Sequence, residues 1–167
     1  GDFVEDEAAF LSPWDRGFRF GDGVYETLRV HRGVVIRRAE HLRRMGEGLA
    51  ILALDVDPDR AFPAVDLDRL VAAAGLRTGE GRMRLFVTRG VDRGTARPPR
   101  APCPTLLAHV EPLPANAPPS DARPLALAVV EAAFPRPAAW SGLKSLNHLP
   151  YVLAAAKAAQ TGADEAL

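Results

Sequence analysis

The sequence predicts an α+β fold, on three observations. Val24-Tyr25-Glu26-Thr27-Leu28-Arg29-Val30 alternates as a strand does, Leu42, Met45, Leu49 and Leu52 recur at helical spacing, and a stretch with four prolines, Glu111 to Pro119, interrupts all periodicity. The division that follows is a small α+β domain over residues 1–111, a linker over 112–122, and the beginning of a second, β-rich domain over 123–167. At 167 residues, 47% hydrophobic and 25% charged, the chain has the composition of a globular protein able to bury a core.

The elements follow in order. Gly1-Asp2-Phe3-Val4 reads as a turn and strand, and Ser12-Pro13-Trp14-Asp15-Arg16-Gly17 as turn chemistry. After Gly21-Asp22-Gly23 comes the alternating strand, with Val24, Glu26, Leu28 and Val30 on one face and Tyr25, Thr27 and Arg29 on the other; His31-Arg32-Gly33 turns it onto Val34-Val35-Ile36. The polar face is either a wall for a ligand or a solvated sheet face. A helix is predicted over 39–52. Arg43 and Arg44 lie on different sides of it, so at most one can follow the apolar stripe. A second helix over 65–74 ends at Gly75, and strands are predicted over Arg82–Thr88 and Thr105–Val110. Beyond the linker, Leu125–Val130 has the wholly apolar character of a buried strand, and a helix runs from about Tyr151 to Gln160 with Pro150 near its first turn.

Function is sought in Ser141-Gly142-Leu143-Lys144-Ser145-Leu146-Asn147-His148. Lys144 stands among small and apolar residues, with no carboxylate between Ala132 and Thr161. A buried amine there would be pushed toward its neutral, nucleophilic form, whereas a lysine ahead of a helix can equally keep its head in water. Lys+Arg and Asp+Glu both number 21, so net charge gives no case for nucleic acid or an anionic membrane. The single cysteine, Cys103, excludes an internal disulfide and a cysteine-rich zinc site, no metal site is expected, and the usage fits a reducing cytoplasm. No apolar run reaches membrane-spanning length. The chain opens without Met and closes on Asp164-Glu165-Ala166-Leu167, where a strand is starting; it reads as the interior of a longer protein.

Four segments, in this order, resemble the class IV aminotransferase family, the fold type IV enzymes that use pyridoxal 5′-phosphate. They are Asp15 through Arg29, Glu40-His41-Leu42-Arg43-Arg44-Met45, Val87-Thr88-Arg89-Gly90, and Leu143-Lys144-Ser145-Leu146-Asn147 with Gly162-Ala163-Asp164-Glu165-Ala166. The resemblance implies that Lys144 holds the cofactor covalently and shuttles a proton. It also implies that Arg44 grips the cofactor phosphate and that Tyr25, Thr27 and Arg29 wall the substrate side. The acidic residue that the family sets opposite the pyridine nitrogen is expected beyond Leu167. A small amino substrate and a homodimer are further implications.

Within the family, Lys144-Ser145-Leu146-Asn147 departs from the Lys-x-Gly-Gly-Asn pattern frequent in branched-chain aminotransferases, and no Arg-x-His of the D-amino-acid type follows Gly90. Arg89-Gly90 followed by Arg93-Gly94 is similar to the 4-amino-4-deoxychorismate lyase branch, which makes that activity the expectation and Arg93 a candidate for a substrate carboxylate. A transaminase, or a non-catalytic chain that keeps the fold, is the alternative.

Overall fold

In the computed structural model, residues 3–114, 124–130 and 142–167 are described. Their contacts form two compact units. The first is Gly1–Pro114 with Leu143–Leu146; the second is Ala115–Gly142 with Asn147–Leu167.

The first unit is an antiparallel sheet with helices on one face. The strands are β1 (Gly23–His31), β2 (Val34–Val35), β3 (Glu80–Thr88) and β4 (Thr105–Pro112), in the spatial order β2-β1-β3-β4. The helices are α1 (Arg16–Phe20), α2 (Arg38–Ile51), α3 (Pro58–Ala61) and α4 (Ala64–Ala73). Alternation decides which side is wet. Val24, Leu28 and Val30 of β1 and Met83, Leu85 and Val87 of β3 are buried against Leu42, Met45 and Leu49 of α2 and Leu67 and Val71 of α4. The other face carries Tyr25, Thr27 and Arg29 beside Phe86, Arg84 and Arg82, which the register sets directly opposite them.

Three expectations are corrected. Phe3 and Val4 lie outside any strand, and the first element is a single 3-10 turn, Asp6–Ala8. The stretch read as a turn continues into α1, because the Asp15 carboxylate accepts from the Gly17 amide at 2.8 Å and caps it, while Gly21 ends it in the left-handed conformation at φ 65°. The run Leu125–Val130 is not a buried strand: only Leu127–Ala128 (β5) pairs, in parallel with Glu165–Ala166 (β6), and Leu125, Leu127 and Val129 are exposed. A fully apolar run reads as buried only where both faces are covered, and within the described residues β5 has one strand neighbour. The second unit also contains α5 (Leu149–Gln160), which precedes β6. Most of the expected linker lies outside the described residues, as does the loop of Pro135, Pro137 and Trp140.

Leu143–Leu146 is held to the first unit as an extra stretch of strand. Short β2 pairs only the last two residues of β1, leaving the opening half of that edge without a strand partner. There the Tyr25 amide donates to the Lys144 carbonyl at 3.1 Å and the Leu146 amide to the Gly23 carbonyl at 3.1 Å, with Val24 and Ser145 bridged antiparallel. Gly23 makes this approach possible. A Cβ at that position would stand 2.4 Å from the Val87 carbonyl oxygen and 2.8 Å from Leu146 Cδ1. Gly23→Ala is therefore expected to destabilise the protein by about 1–3 kcal/mol, checked by denaturant unfolding, because a backbone oxygen on a paired strand cannot move aside cheaply.

Candidate functional site

The pairing of 143–146 on β1 explains where each side chain goes. Side chains alternate along an extended segment, and cross-strand partners share a face. Leu143 therefore enters the core, near Val24 and Gly48, and Lys144 emerges on the open face beside Tyr25. Its Nζ donates to Tyr25 Oη at 2.8 Å and stands 4.0 Å from the centroid of the Tyr25 ring, which in turn stacks with Phe86 at 6.1 Å. Lys144 is half-buried rather than enclosed.

Beneath this pair lies a buried carboxylate. Glu26, next to Tyr25 and pointing to the opposite face, is 0% exposed. It accepts from Arg44 Nε and Nη2, both at 2.6 Å, on its two oxygens, and His41 Nδ1 lies 2.7 Å from the second. Burial works against ionisation of Glu26, but the Arg44 fork and His41 outweigh it and hold the carboxyl below the ordinary glutamate range. The same pairing keeps Arg44 more firmly protonated. Arg44 remains nearly half exposed, with Nη1 turned away from the fork. Arg43, one position earlier, points elsewhere and pairs with Glu47 one turn on.

Arg29 is exposed and gives both Nε and Nη2 to Glu80, at 3.0 and 2.7 Å. Thr27 stands between Arg29 and Tyr25 on the open face, opposite Arg84. Arg93 is exposed, with its guanidinium carbon 5.3 Å from the Trp14 ring centroid. The structure thus brings Lys144 and Tyr25 together on the open face; Arg44 meets Glu26 on the opposite face, Thr27 and Arg29 lie further along the same strand, and Arg93 lies in the loop after β3.

Sequence reasoning did not single out the buried ionic network behind the site. Arg16, 1% exposed, donates to Asp22 at 2.8 Å, to Asp92 at 3.0 Å and to the carbonyls of Thr95 and Ala96, each at 2.8 Å. Arg89 joins it on Asp22 at 2.9 Å and donates to the Leu52 carbonyl at 2.7 Å. Burial opposes ionisation of Asp22 as well, and Arg89 and Arg16 together overcome it, so its carboxyl sits low. Asp15 is likewise buried and accepts from the hydroxyls of Thr88 and Thr105. Arg16 and Arg89 thus fix the loop ahead of β1 to the loop after β3. The available signal was composition: two arginines and two aspartates in short glycine-bearing turns, too many charges for a solvated loop to require.

These residues fit a phosphorylated carbonyl cofactor. An amine is presented for the carbonyl, and a guanidinium anchored on one edge offers its other edge to a phosphate. Among the described residues no cluster could hold a metal ion, and no helix is long and apolar enough to cross a membrane.

Known proteins resemble this chain over much of its length. A Methanocaldococcus jannaschii protein, provisionally named a branched-chain-amino-acid aminotransferase, is 32% identical over 99% of this chain and 56% of its own length. A D-alanine aminotransferase of Listeria innocua is 38% identical over 53% of this chain and 30% of its own. The crystal structure of 4-amino-4-deoxychorismate lyase from Pseudomonas aeruginosa superposes with a TM-score of 0.72 at 32% identity, covering 96% of this chain and 57% of that one. The chain thus spans little more than half the length of these two longer matches. The sequence model of amino-transferase class IV matches residues 23–167, so the chain belongs to the class IV aminotransferase family, whose members depend on pyridoxal phosphate.

Proposed function

We propose that the intact protein is a pyridoxal-phosphate-dependent lyase that converts 4-amino-4-deoxychorismate to 4-aminobenzoate and pyruvate. The observation that carries the enzymatic reading is the Lys144 amine, held by main-chain pairing 2.8 Å from the Tyr25 hydroxyl on an open sheet face. In this reading Lys144 attaches the cofactor and Arg44 holds its phosphate, while Tyr25, Thr27 and Arg29 form the substrate wall. The cofactor, when bound, supplies an electron sink for cleavage at the carbon bearing the amino group. Lys144 Nζ takes the proton from that carbon, and the ring carbon–oxygen bond to the enolpyruvyl group breaks. The electron pair of the broken C–H bond becomes the last double bond of the aromatic ring, the C–O pair leaves on the enol oxygen, and the enol takes up a proton as pyruvate. Atoms balance without oxidant or added water.

Arg89-Gly90 with Arg93-Gly94 favours the lyase branch, as does the likeness to the Pseudomonas aeruginosa enzyme at 32% identity. The relative from Methanocaldococcus jannaschii, aligned over nearly the whole chain, supports a transaminase as the second reading. A domain break near residues 112–122, a homodimer and a cytoplasmic location belong to the same proposal. The test is to incubate the full-length holoenzyme with aminodeoxychorismate and follow pyruvate. Release supports the lyase; no pyruvate, with amino transfer from L-leucine, L-glutamate or D-alanine instead, replaces it with the transaminase.

A further inference from the structure

The open sheet face carries more positive charge than its own partners consume. Register places Arg84 opposite Thr27 on one side and His109 on the other, and Arg82 between Arg29 and Glu111. Like charges directly across a ladder cost stability, so Arg29 opposite Arg82 is not an arrangement the sheet needs for itself. Among the described residues the face holds two carboxylates for its three arginines. Glu80 takes Arg29. Glu111 takes Arg82 through one oxygen, at 2.8 Å from Nε and 2.7 Å from Nη2, and Arg84 reaches that same oxygen only at 3.2 Å. The Arg84 side chain is one third exposed and has most of its donor fork uncommitted by these contacts.

Its position relative to Tyr25 is set by the pleat. Tyr25 pairs with Phe86, so Arg84, two residues back on β3, is the diagonal neighbour of Tyr25 on the same face, about 7–8 Å away. We infer that Arg84, flanked by Thr27 and His109, is a carboxylate subsite that binds the end of the substrate remote from the amino group. The inference rests on the proposed lyase for the identity of that substrate, an aromatic-ring precursor with its amino group and carboxylate at opposite ends. It assigns to Arg84 the role that the sequence suggested for Arg93.

The experiment uses the full-length holoenzyme and two probes, 4-aminobenzoate and aniline, which differ by the carboxylate. Arg84→Gln is expected to weaken 4-aminobenzoate about 10- to 100-fold by calorimetry and to leave aniline unchanged, with Arg84→Lys recovering part of the loss. Equal affinity of Arg84→Gln and wild type for 4-aminobenzoate, or a loss that tracks Arg93→Gln instead, overturns the subsite while the lyase stands on its pyruvate assay. Should the wild type release no pyruvate and bind no 4-aminobenzoate, the lyase falls and the subsite is judged separately, on amino transfer from L-glutamate against L-leucine. A fall in kcat/KM confined to the dicarboxylate then supports Arg84, and equal rates for variant and wild type, including none, overturn it.

Discussion

Lys144→Ala in the full-length protein is expected to abolish the visible absorption band formed with pyridoxal phosphate and to lower turnover by at least about 10³-fold. In the roles proposed for Lys144, one change removes both the covalent anchor and the group that moves the proton, and proton transfer by a positioned side chain alone is worth about 10²–10⁴-fold. Stability should hardly change. The side chain is half-buried, its hydrogen bond to Tyr25 is one of modest net value, and the main-chain bonds from Tyr25 and Leu146 that seat the segment survive the substitution. Absorbance, turnover and a melting curve measured together check the prediction. A variant that melts like the wild type yet keeps its band would remove Lys144 from the centre of the site.

Glu26→Ala is expected to act on stability and on phosphate recognition at once. It deletes a fully buried carboxylate and leaves Arg44 and His41 without their partner, which for a buried pair costs about 3–5 kcal/mol; the wet outer edge of Arg44 brings this to about 2–4 kcal/mol. Freed from Glu26, Arg44 can turn away, so affinity for pyridoxal phosphate should fall by more than affinity for pyridoxal, which lacks the phosphate. The wild-type protein should show the same coupling through pH. The carboxyls of Glu26 and Asp22 both sit lower in the folded chain than their ordinary values of 4.5 and 3.8. Their stabilisation is thus complete above those values and is lost as pH falls through the depressed folded ones. Denaturant midpoints should be flat with respect to these two groups at neutral pH and decline below about pH 4.5, and Glu26→Gln should flatten part of that decline.

How much of this could be read from residues alone varies with what each signal depends on. The faces of β1 were legible, since alternation is a local property and put Glu26 with the core and Tyr25, Thr27 and Arg29 together. That α2 directs only one of two adjacent arginines inward followed from helical angle, and Arg44 is the one that meets Glu26. Local patterns could not show that a carboxylate on the apolar face was there to hold that arginine; the two meet from positions 18 residues apart. Helix α1 was missed because Pro13 and Gly17 argue for a turn, while the capping carboxylate of Asp15 and the buried Arg16 network decide otherwise. The exposed β5 was misjudged for the opposite reason: hydrophobicity reports what a strand could bury, and burial needs a second layer.

The edge pairing of Lys144 also carries a consequence for how the protein reaches its native state. The hydrogen bond from Lys144 to Tyr25 closes a loop across 119 residues, whereas the β1–β2 hairpin and the helix behind it arise from near neighbours. Contacts so distant in sequence carry a larger loop-closure cost than local ones. The sheet wall with its arginines can therefore assemble before the amine arrives, and a slip of one residue in the final docking would send Lys144 into the core and Leu143 into solvent. A correctly registered backbone is thus the precondition for presenting the amine beside Tyr25.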